Sequence, residues 1–303
     1  MPSTNAKTYE STPPRKVAFL GLGVMGFPMA GHLKAKGYDV TVYNRSPEKS
    51  KQWVEKHGGQ SAPTPAAAVK DCDFVLMCVG NDKDLLEVAG GKDGALSGMK
   101  KGAILVDHTT ASADAARKVY ADAKSKGISF IDGPVSGGQA GAENGKLTVM
   151  CGGDADAFEK AKPVMDSYGK AVTLMGAPGA GQLTKMVNQI CIAGLVQALS
   201  EGIAFAEKAK LDPALVLDVI SKGAAQSWQM ENRGKTMVAD KFDFGFAVDW
   251  MRKDLAICLA EARRNGAMLP VTAIVDQLYA QVQARGGGRW DTSSLVRLLN
   301  KPQ

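Results

Sequence analysis

A lysine and an asparagine stand one helical turn apart in a segment that has no other charged residue. Lys185 and Asn188 lie in "GAPGAGQLTKMVNQ", residues 176–189, where a spacing of three puts both on one face of a helix. The positive end of a helix and burial each lower the pKa of a lysine, which then exchanges a proton with an alcohol or carbonyl oxygen near neutral pH. The asparagine can hold that oxygen or orient the ammonium group. The alternative is a lysine that extends to solvent from the helix end.

A glycine motif follows the first apolar run, in "KVAFLGLGVMGFPMA". Gly21 permits a tight turn, Gly23 lets the backbone approach a pyrophosphate, and Gly26 lets helix and strand pack closely. The N-terminus of the following helix supplies N–H groups to the phosphates. The motif predicts a dinucleotide site formed by Gly21, Leu22, Gly23, Val24, Met25 and Gly26.

The end of the second predicted strand bears on which dinucleotide binds. The segment "VTVYNRSPEKS" has Asn44, Arg45 and Ser46 there, with no acid before Glu48. An acid at this point would bind the ribose 2′-hydroxyl of NAD, whereas a guanidinium and a hydroxyl suit the 2′-phosphate of NADP. We therefore expect NADP in preference to NAD. The alternative is an Arg–Ser turn that caps the next helix.

Composition narrows the class of protein. The chain has 303 residues, 45% hydrophobic and 22% charged, which is ordinary for a soluble globular protein with room for two domains. The net charge of +6 is mild and its positive residues are mixed with acids, so no nucleic-acid partner is expected. Five cysteines without a Cys-x-x-Cys pair indicate reduced, buried thiols in a cytoplasmic protein, and three scattered histidines indicate no metal site.

The apolar pattern changes once along the chain. Residues 1–15 are predicted to be a loose tail, and residues 16–178 alternate apolar strand-like runs with helical segments. That alternation predicts an α/β, Rossmann-type dinucleotide-binding domain with a mostly parallel sheet. Residues 179–303 carry only helical patterns and are predicted to be an all-helical substrate and oligomerisation domain. The helices are expected near residues 181–210, 212–222, 226–238, 247–265, 270–284 and 291–299.

The helix that begins near Gly181 is predicted to join the two domains. It is apolar almost all round, which is typical of a helix buried on several sides. Its longest charge-free run, "MVNQICIAGLVQALS", has 15 residues and contains Asn and Gln, so we expect no membrane contact. So much apolar surface in a helical domain favours a homodimer or homotetramer.

The segment "DGPVSGGQAGAENGKLTV", residues 132–149, is longer and richer in glycine than a turn between two strands requires. Together with the glycine motif, the lysine–asparagine motif and "KDL" at residues 253–255, it resembles the β-hydroxyacid dehydrogenase family, which includes 3-hydroxyisobutyrate dehydrogenases. The resemblance extends from Lys16 to about Leu299 and rests on four motifs in order: "GLGVMG", "DGPVSGGQAGAENGKLT", "GAGQLTKMVNQ" and "KDL".

The resemblance implies a role for each motif. The amides of Ser136, Gly137 and Gly138, with the serine hydroxyl, would hold a substrate carboxylate, which explains the glycines because a small anion needs close backbone approach. Lys185 would be the general acid/base and Asn188 its partner on the substrate. The cofactor would also contact Val79, Gly80, Thr110 and Lys253.

Five side chains leave alternatives open. Trp228 and Phe246 are either walls of a substrate pocket or core of the helical domain. Lys253 and Asp254 open a predicted helix, and their default interpretation is an acid at the helix N-terminus beside a solvated lysine. His108 stands where the family more often has an apolar residue, and we interpret it as local packing, not as a second base.

The implied function is reversible hydride transfer between a nicotinamide and a small hydroxy acid or its semialdehyde or keto form. Candidate substrates are 3-hydroxyisobutyrate-like acids, glyoxylate and succinic semialdehyde. An imine reductase of the same fold is one alternative, although such enzymes usually lack the lysine–asparagine pair. A non-catalytic NADP-sensing module is the other.

Overall fold

The computed structural model describes Lys7, Tyr9 and residues 15–300. The chain forms two compact units that divide between Lys185 and Met186. The sequence places the domain boundary seven residues earlier, between residues 178 and 179, where the strand pattern ends.

The first unit contains one nine-stranded sheet in the order β3-β2-β1-β4-β5-β6-β8-β7, with β9 paired to β8. The strands from β3 to β6 are all parallel, β8 runs antiparallel to β6 and β7, and β9 is parallel to β8. The strands are β1 (Lys16–Leu20), β2 (Asp39–Tyr43), β3 (Gln60–Ser61), β4 (Phe74–Met77), β5 (Ile104–Asp107), β6 (Ser129–Asp132), β7 (Val135–Ser136), β8 (Leu147–Gly153) and β9 (Gly169–Gly176).

Helices cover both faces of this sheet, as continuously apolar parallel strands require. On β1, Val17 and Phe19 belong to one buried cluster while Ala18 and Leu20 belong to another, because successive side chains point to opposite faces. The helices are α1 (Gly26–Ala35), α2 (Pro47–His57), α3 (Pro65–Ala68), α4 (Asp82–Gly90), α5 (Ala95–Gly98), α6 (Ala113–Ser125), α7 (Gly138–Glu143) and α8 (Ala155–Met165).

The fold places the predicted cofactor residues at one edge of the sheet. Since β1, β2, β4 and β5 are parallel, their carboxyl ends meet at the same edge, where ligands of doubly wound sheets bind. Gly21, Asn44, Val79 and Thr110 each lie within three residues of such an end. The predicted α/β, Rossmann-type architecture is confirmed.

The second unit is helical. Its elements are most of α9 (Ala180–Lys208), then α10 (Pro213–Ile220), α11 (Trp228–Val238), α12 (Val248–Asn265), α13 (Pro270–Ala284) and α14 (Arg297–Asn300). Between residues 186 and 300 the only strand-like pairing is an isolated bridge of Ala247 with Asp291. The helix predicted over 291–299 is instead a 3-10 turn, Thr292–Val296, followed by α14. The Asp291 carboxylate accepts bonds from the Ser293 amide and hydroxyl, which compete with α-helical pairing.

Helix α9 differs from its prediction on one face. The sequence indicates a helix buried on several sides, yet a stripe of small and apolar residues is exposed: Val187, Cys191, Leu195, Ala198, Gly202 and Phe205. The exposed Cys191 thiol also contradicts the expectation that all five cysteines are buried. By length and hydropathy α9 is the one helix among the described residues that could cross a membrane, a test that core helices of soluble proteins also pass.

Candidate active site

The loop after β1 has the geometry of a dinucleotide site. Gly21 has a φ of +96°, its amide donates to the Tyr43 carbonyl at 2.8 Å, and a Cβ on it would lie against the backbone of Cys78. A Cβ on Gly26 would meet the Phe19 ring at 2.8 Å, whereas a Cβ on Gly23 would have nothing within 4 Å. Protein packing therefore requires the first and third glycines, and the second leaves the backbone open to a ligand.

Asn44 shapes this loop directly. Its Oδ1 accepts a hydrogen bond from the Leu22 amide at 2.8 Å, and its Nδ2 donates to the Ser46 carbonyl at 3.1 Å. Within the loop Val24 is exposed and Met25 is half-buried at the start of α1. The asparagine thus connects the glycine loop to the end of β2.

The side-chain contacts of Arg45 and Ser46 do not fit the predicted helix-capping alternative. Ser46 occupies the N-cap position of α2, but its side chain makes no capping hydrogen bond. The exposed Arg45 side chain reaches Asp84 of α4, with Nη1 3.2 Å from Oδ1. The alternative of an Arg–Ser turn that caps α2 is therefore wrong for the serine hydroxyl.

The segment after β5 is hydrogen-bonded both to the residues after β4 and to the start of α9. The Val79 amide donates to Thr109 Oγ1 at 3.0 Å, which connects the residues before Gly80 to the segment that contains Thr110. Gln182 of α9 donates from Nε2 to the Thr109 carbonyl at 2.7 Å and accepts from the Ala111 amide at 3.0 Å. Gln182 therefore fixes the first turn of α9 against the residues that flank Thr110.

A buried carboxylate occupies the N-terminus of α9. Asp132 accepts hydrogen bonds from the Gly179 amide at 2.8 Å and the Gln182 amide at 3.0 Å. Burial raises the pKa of Asp132 to about 6, and the backbone N–H groups of the helix oppose that rise. The sequence argument assumed a positive helix end beside Lys185, and the carboxylate offsets that charge. The other assumed cause, burial, is present, since Lys185 is only 7% exposed.

The loop predicted to bind the substrate carboxylate, called the anion loop below, is residues 133–147 and includes β7 and α7. Ser136 pairs with Thr148 of β8, while Gly137 and Gly138 have φ angles of +128° and +61°, which favour glycine. A Cβ on Gly138 would meet nothing within 4 Å. Backbone conformation, not packing, therefore accounts for the glycine at 138, and the residue is exposed.

In the second unit, a series of side-chain contacts connects two predicted site residues, Asn188 and Lys253. Asn188 Nδ2 donates to Gln189 Oε1 at 2.7 Å, and Gln189 Nε2 donates to Asp254 Oδ2 at 2.6 Å. Lys253 Nζ lies 3.1 Å from the other oxygen of Asp254. The predicted substrate partner Asn188 is thus connected to the predicted cofactor contact Lys253 through two buried residues.

These contacts correct the default interpretation of Lys253 and Asp254. Helix α12 begins at Val248, so the pair lies in its second turn and not at its N-terminus. Asp254 is buried and pairs with Lys253 and Gln189, so it is no acid at a helix N-terminus, and Lys253 is ion-paired instead of simply solvated. A buried ion pair is tolerated in a folded protein when both charges have partners, as they have here.

The two predicted aromatic residues are not core. Trp228 is 51% exposed and Phe246 36% exposed, so the core alternative is wrong. The Arg233 guanidinium stacks 5.0 Å from the centre of the Trp228 ring and pairs with buried Asp291 at 3.2 Å. Asp291 also accepts from the Phe246 amide at 2.9 Å. The Arg233–Asp291 ion pair therefore contacts both aromatic residues, Trp228 through the guanidinium and Phe246 through its amide.

Sequence reasoning missed several residues with functional contacts. In the first unit, Asp132 and Gln182 join the start of α9 to β6 and to the segment after β5. In the second unit, Gln189 forms a buried link to Asp254, a residue that the sequence identifies but with a different role. The signal for Gln182 and Gln189 is a polar side chain in an otherwise apolar helix. An acid at the carboxyl end of a strand is the signal for Asp132.

The fold and the site together define a class. A glycine loop that fits a pyrophosphate and a set of residues at the carboxyl edge of a Rossmann-type sheet fit a nicotinamide dinucleotide. With an all-helical second unit and a buried lysine in the helix that begins it, these features are those of a nicotinamide-dependent oxidoreductase.

Comparison with known proteins gives the family. Residues 16–176 match the model of the NAD-binding domain of 6-phosphogluconate dehydrogenase, and residues 179–299 match that of the NAD-binding domain of NADP-dependent 3-hydroxyisobutyrate dehydrogenase. The chain belongs to the β-hydroxyacid dehydrogenase family and is an oxidoreductase that acts on hydroxy acids with a nicotinamide cofactor.

Individual relatives extend over nearly the whole chain. An uncharacterized oxidoreductase of Shewanella frigidimarina is 63% identical over 94% of this chain and 98% of its own. The 2-hydroxy-3-oxopropionate reductase of Escherichia coli is 34% identical over 94% and 97%. The solved structure of Mycobacterium tuberculosis 3-hydroxyisobutyrate dehydrogenase with L-serine has a TM-score of 0.86 at 28% identity, over 95% of this chain and 99% of that one.

Proposed function

We propose that this protein interconverts a small hydroxy acid and its semialdehyde or keto form, with Lys185 as the general acid/base. The substrates are 3-hydroxyisobutyrate-like acids, or glyoxylate and succinic semialdehyde in the direction of reduction. The names of two similar proteins support this class, because 2-hydroxy-3-oxopropionate and L-serine are both small carboxylates that carry a hydroxyl group.

One observation carries the proposal: a buried lysine lies one turn beyond a glutamine that fixes the helix to the segment around Thr110, a predicted cofactor contact. Gln182 bonds to both residues that flank Thr110, and Lys185 follows it at a spacing of three. A lysine held there with 7% exposure has few water molecules around its ammonium group. Desolvation favours the neutral amine, which a group that must take up and release a proton requires.

The chain's own residues account for binding and proton transfer. The amides of Ser136, Gly137 and Gly138 hold the carboxylate and so fix the distance from the reacting carbon to Lys185. Lys185 gives a proton to the aldehyde or keto oxygen in reduction and takes the hydroxyl proton in oxidation, while Asn188 holds the same oxygen. When bound, the nicotinamide cofactor supplies or accepts the hydride.

We also propose that NADP is preferred to NAD. The residue at the end of β2 is Asn44 and not an acid, so no carboxylate at this position would repel a 2′-phosphate. The Asn44 side chain is hydrogen-bonded within the loop. The exposed Arg45 guanidinium and the Ser46 hydroxyl, which makes no capping bond, stand beside the N-terminus of α2, whose N–H groups favour an anion.

Replacement of Lys185 tests the proposed role. Lys185→Ala should lower kcat for reduction of glyoxylate, succinic semialdehyde or methylmalonate semialdehyde by about 10²–10⁴-fold, the usual range for loss of a general acid. NADPH affinity, measured by fluorescence titration, should stay within about threefold, because the glycine loop is unchanged. Lys208→Ala, an exposed lysine at the other end of α9, is the matched control.

Two outcomes would contradict the proposal. Activity of Lys185→Ala within about tenfold of the wild type would exclude the lysine as general acid/base. Binding of NADPH without oxidation by any of the three aldehydes would favour a sensing module over an enzyme of this substrate class.

A further inference from the structure

The mechanism does not use one histidine that the structure buries completely. His108, directly after β5, has Nδ1 2.5 Å from the Gly133 carbonyl and Nε2 2.7 Å from the Tyr168 hydroxyl. Both side chains are within the core of the first unit. A carbonyl can only accept, so Nδ1 carries the proton and Nε2 accepts from the tyrosine O–H. Burial lowers the pKa of His108 to about 4, so this neutral tautomer persists at neutral pH.

These contacts reach the first end of the predicted anion loop. Gly133 is the first residue after β6, three residues before Ser136. Its amide donates to the Asp107 carbonyl at 2.7 Å, and its carbonyl accepts from His108. Both polar backbone groups of Gly133 are therefore bonded to the two residues at the end of β5.

The same pair reaches the other end of the loop. The Tyr168 carbonyl accepts from the amide of Leu147, the first residue of β8, at 3.1 Å. The Leu147 side chain lies under the loop, since a Cβ on Gly137 or Gly141 would be 3.2 or 3.1 Å from its Cδ2. A buried hydrogen bond between His108 and Tyr168 thus connects the residues that hold both ends, in addition to the pairing of β7 with β8.

We propose that His108 and Tyr168 form a brace that positions residues 133–147 so that the amides of Ser136, Gly137 and Gly138 converge on the substrate carboxylate. His108 is a positioning residue in this proposal and not a second base, because both of its ring nitrogens are bonded inside the protein. The step from loop geometry to substrate affinity rests on the proposed function, whereas the step from brace to loop geometry does not.

Three variants distinguish the effect of the His108–Gly133 hydrogen bond from that of the His108–Tyr168 hydrogen bond. His108→Leu removes both, Tyr168→Phe removes only the tyrosine O–H, and His108→Asn keeps an N–H donor near the position of Nδ1. Amide hydrogen exchange in residues 133–147 should accelerate by about tenfold or more in His108→Leu and less in the other two, because local opening becomes easier. Tyr120→Phe, which removes a tyrosine hydroxyl bonded to exposed Asp154, is the matched control.

Kinetics of the same variants distinguish positioning from general destabilisation. The KM for succinic semialdehyde or glyoxylate should rise about tenfold in His108→Leu and be partly restored in His108→Asn, while the NADPH dissociation constant stays within about twofold. Unchanged exchange in residues 133–147 of both His108→Leu and Tyr168→Phe would overturn the brace. Faster exchange with an unchanged KM would keep the brace but reject the loop as the carboxylate site, which is a failure of the proposed function.

Discussion

At the end of β2, two neighbouring residues have different tasks. Asn44 bonds to the Leu22 amide and the Ser46 carbonyl, so its side chain is part of the loop framework. Arg45 is exposed and its partner is a single carboxylate, Asp84, on a different helix. An exposed ion pair of this kind contributes little to stability, so Arg45 can exchange its partner for a phosphate at small cost.

Removal of the Arg45 charge should therefore change cofactor choice and little else. In Arg45→Ala, kcat/KM with NADPH is expected to fall by about ten- to a hundredfold, the loss of a charge-assisted hydrogen bond, with kcat/KM for NADH nearly unchanged. Steady-state assays with each cofactor measure the ratio. Arg117→Ala, which removes a half-buried arginine paired with Asp114, serves as control. Equal losses with both cofactors would reject a 2′-phosphate contact.

At the scale of elements, the start of α9 is joined to the sheet by Asp132. The carboxylate at the end of β6 accepts from two amides of the helix, and Gln182 of the same turn bonds to the segment after β5. The first unit thus fixes the helix start, and with it Lys185, to two adjacent strands. No room exists for a larger residue there, because a Cβ on Gly181 would lie 2.6 Å from the Asp132 carbonyl.

The titration of Asp132, which joins α9 to β6, makes the stability of the folded chain depend on pH. Its folded-state pKa is raised to about 6 from an ordinary 3.8, so the folded chain binds this proton more tightly than the unfolded chain. The group therefore adds stability at low pH that is lost as the pH rises through about 6. Asp132→Asn removes this term and should destabilise the protein more at pH 5 than at pH 8, by about 1 kcal/mol in urea unfolding.

A second substitution controls for the loss of an acid at a helix start. Asp154 stands at the N-cap position of α8 and makes no capping bond, so Asp154→Asn is the matched control, measured at the same two pH values. If Asp132→Asn destabilised more at pH 8 than at pH 5, the helix amides would outweigh burial and the carboxylate would be ionised at both.

The sequence predicts these elements well where local signals suffice. Most strands follow from the apolar runs between residues 16 and 178, and the glycine motif locates the dinucleotide loop because both of its causes, turn geometry and packing, are local. The antiparallel insertion of β8 and the link between Gln189 and Asp254, 65 residues apart, have no local signal. They depend on which elements become neighbours, and only the folded chain determines that.

At the scale of the whole molecule, the exposed stripe of α9 is the feature that the single chain does not explain. Its residues recur every three or four positions from Val187 to Phe205, so they form one continuous apolar face on the helix. Val187 is 59% and Phe205 72% exposed. Water-exposed apolar faces of this length are typical of protein interfaces. The small residues Ala198 and Gly202 within the stripe would let another helix approach closely.

We propose that a second copy of this chain covers the stripe, as a homodimer or as part of a homotetramer. Light scattering after size exclusion should give a multiple of the single-chain mass for the wild type, and Leu195→Glu with Phe205→Glu should shift it toward one chain, because charges buried in an apolar interface are strongly unfavourable. Gln197→Glu adds a charge to the same helix outside the stripe and should leave the mass unchanged. A wild type that is monomeric and binds lipid vesicles would assign the stripe to a membrane surface instead, which the length and hydropathy of α9 would permit.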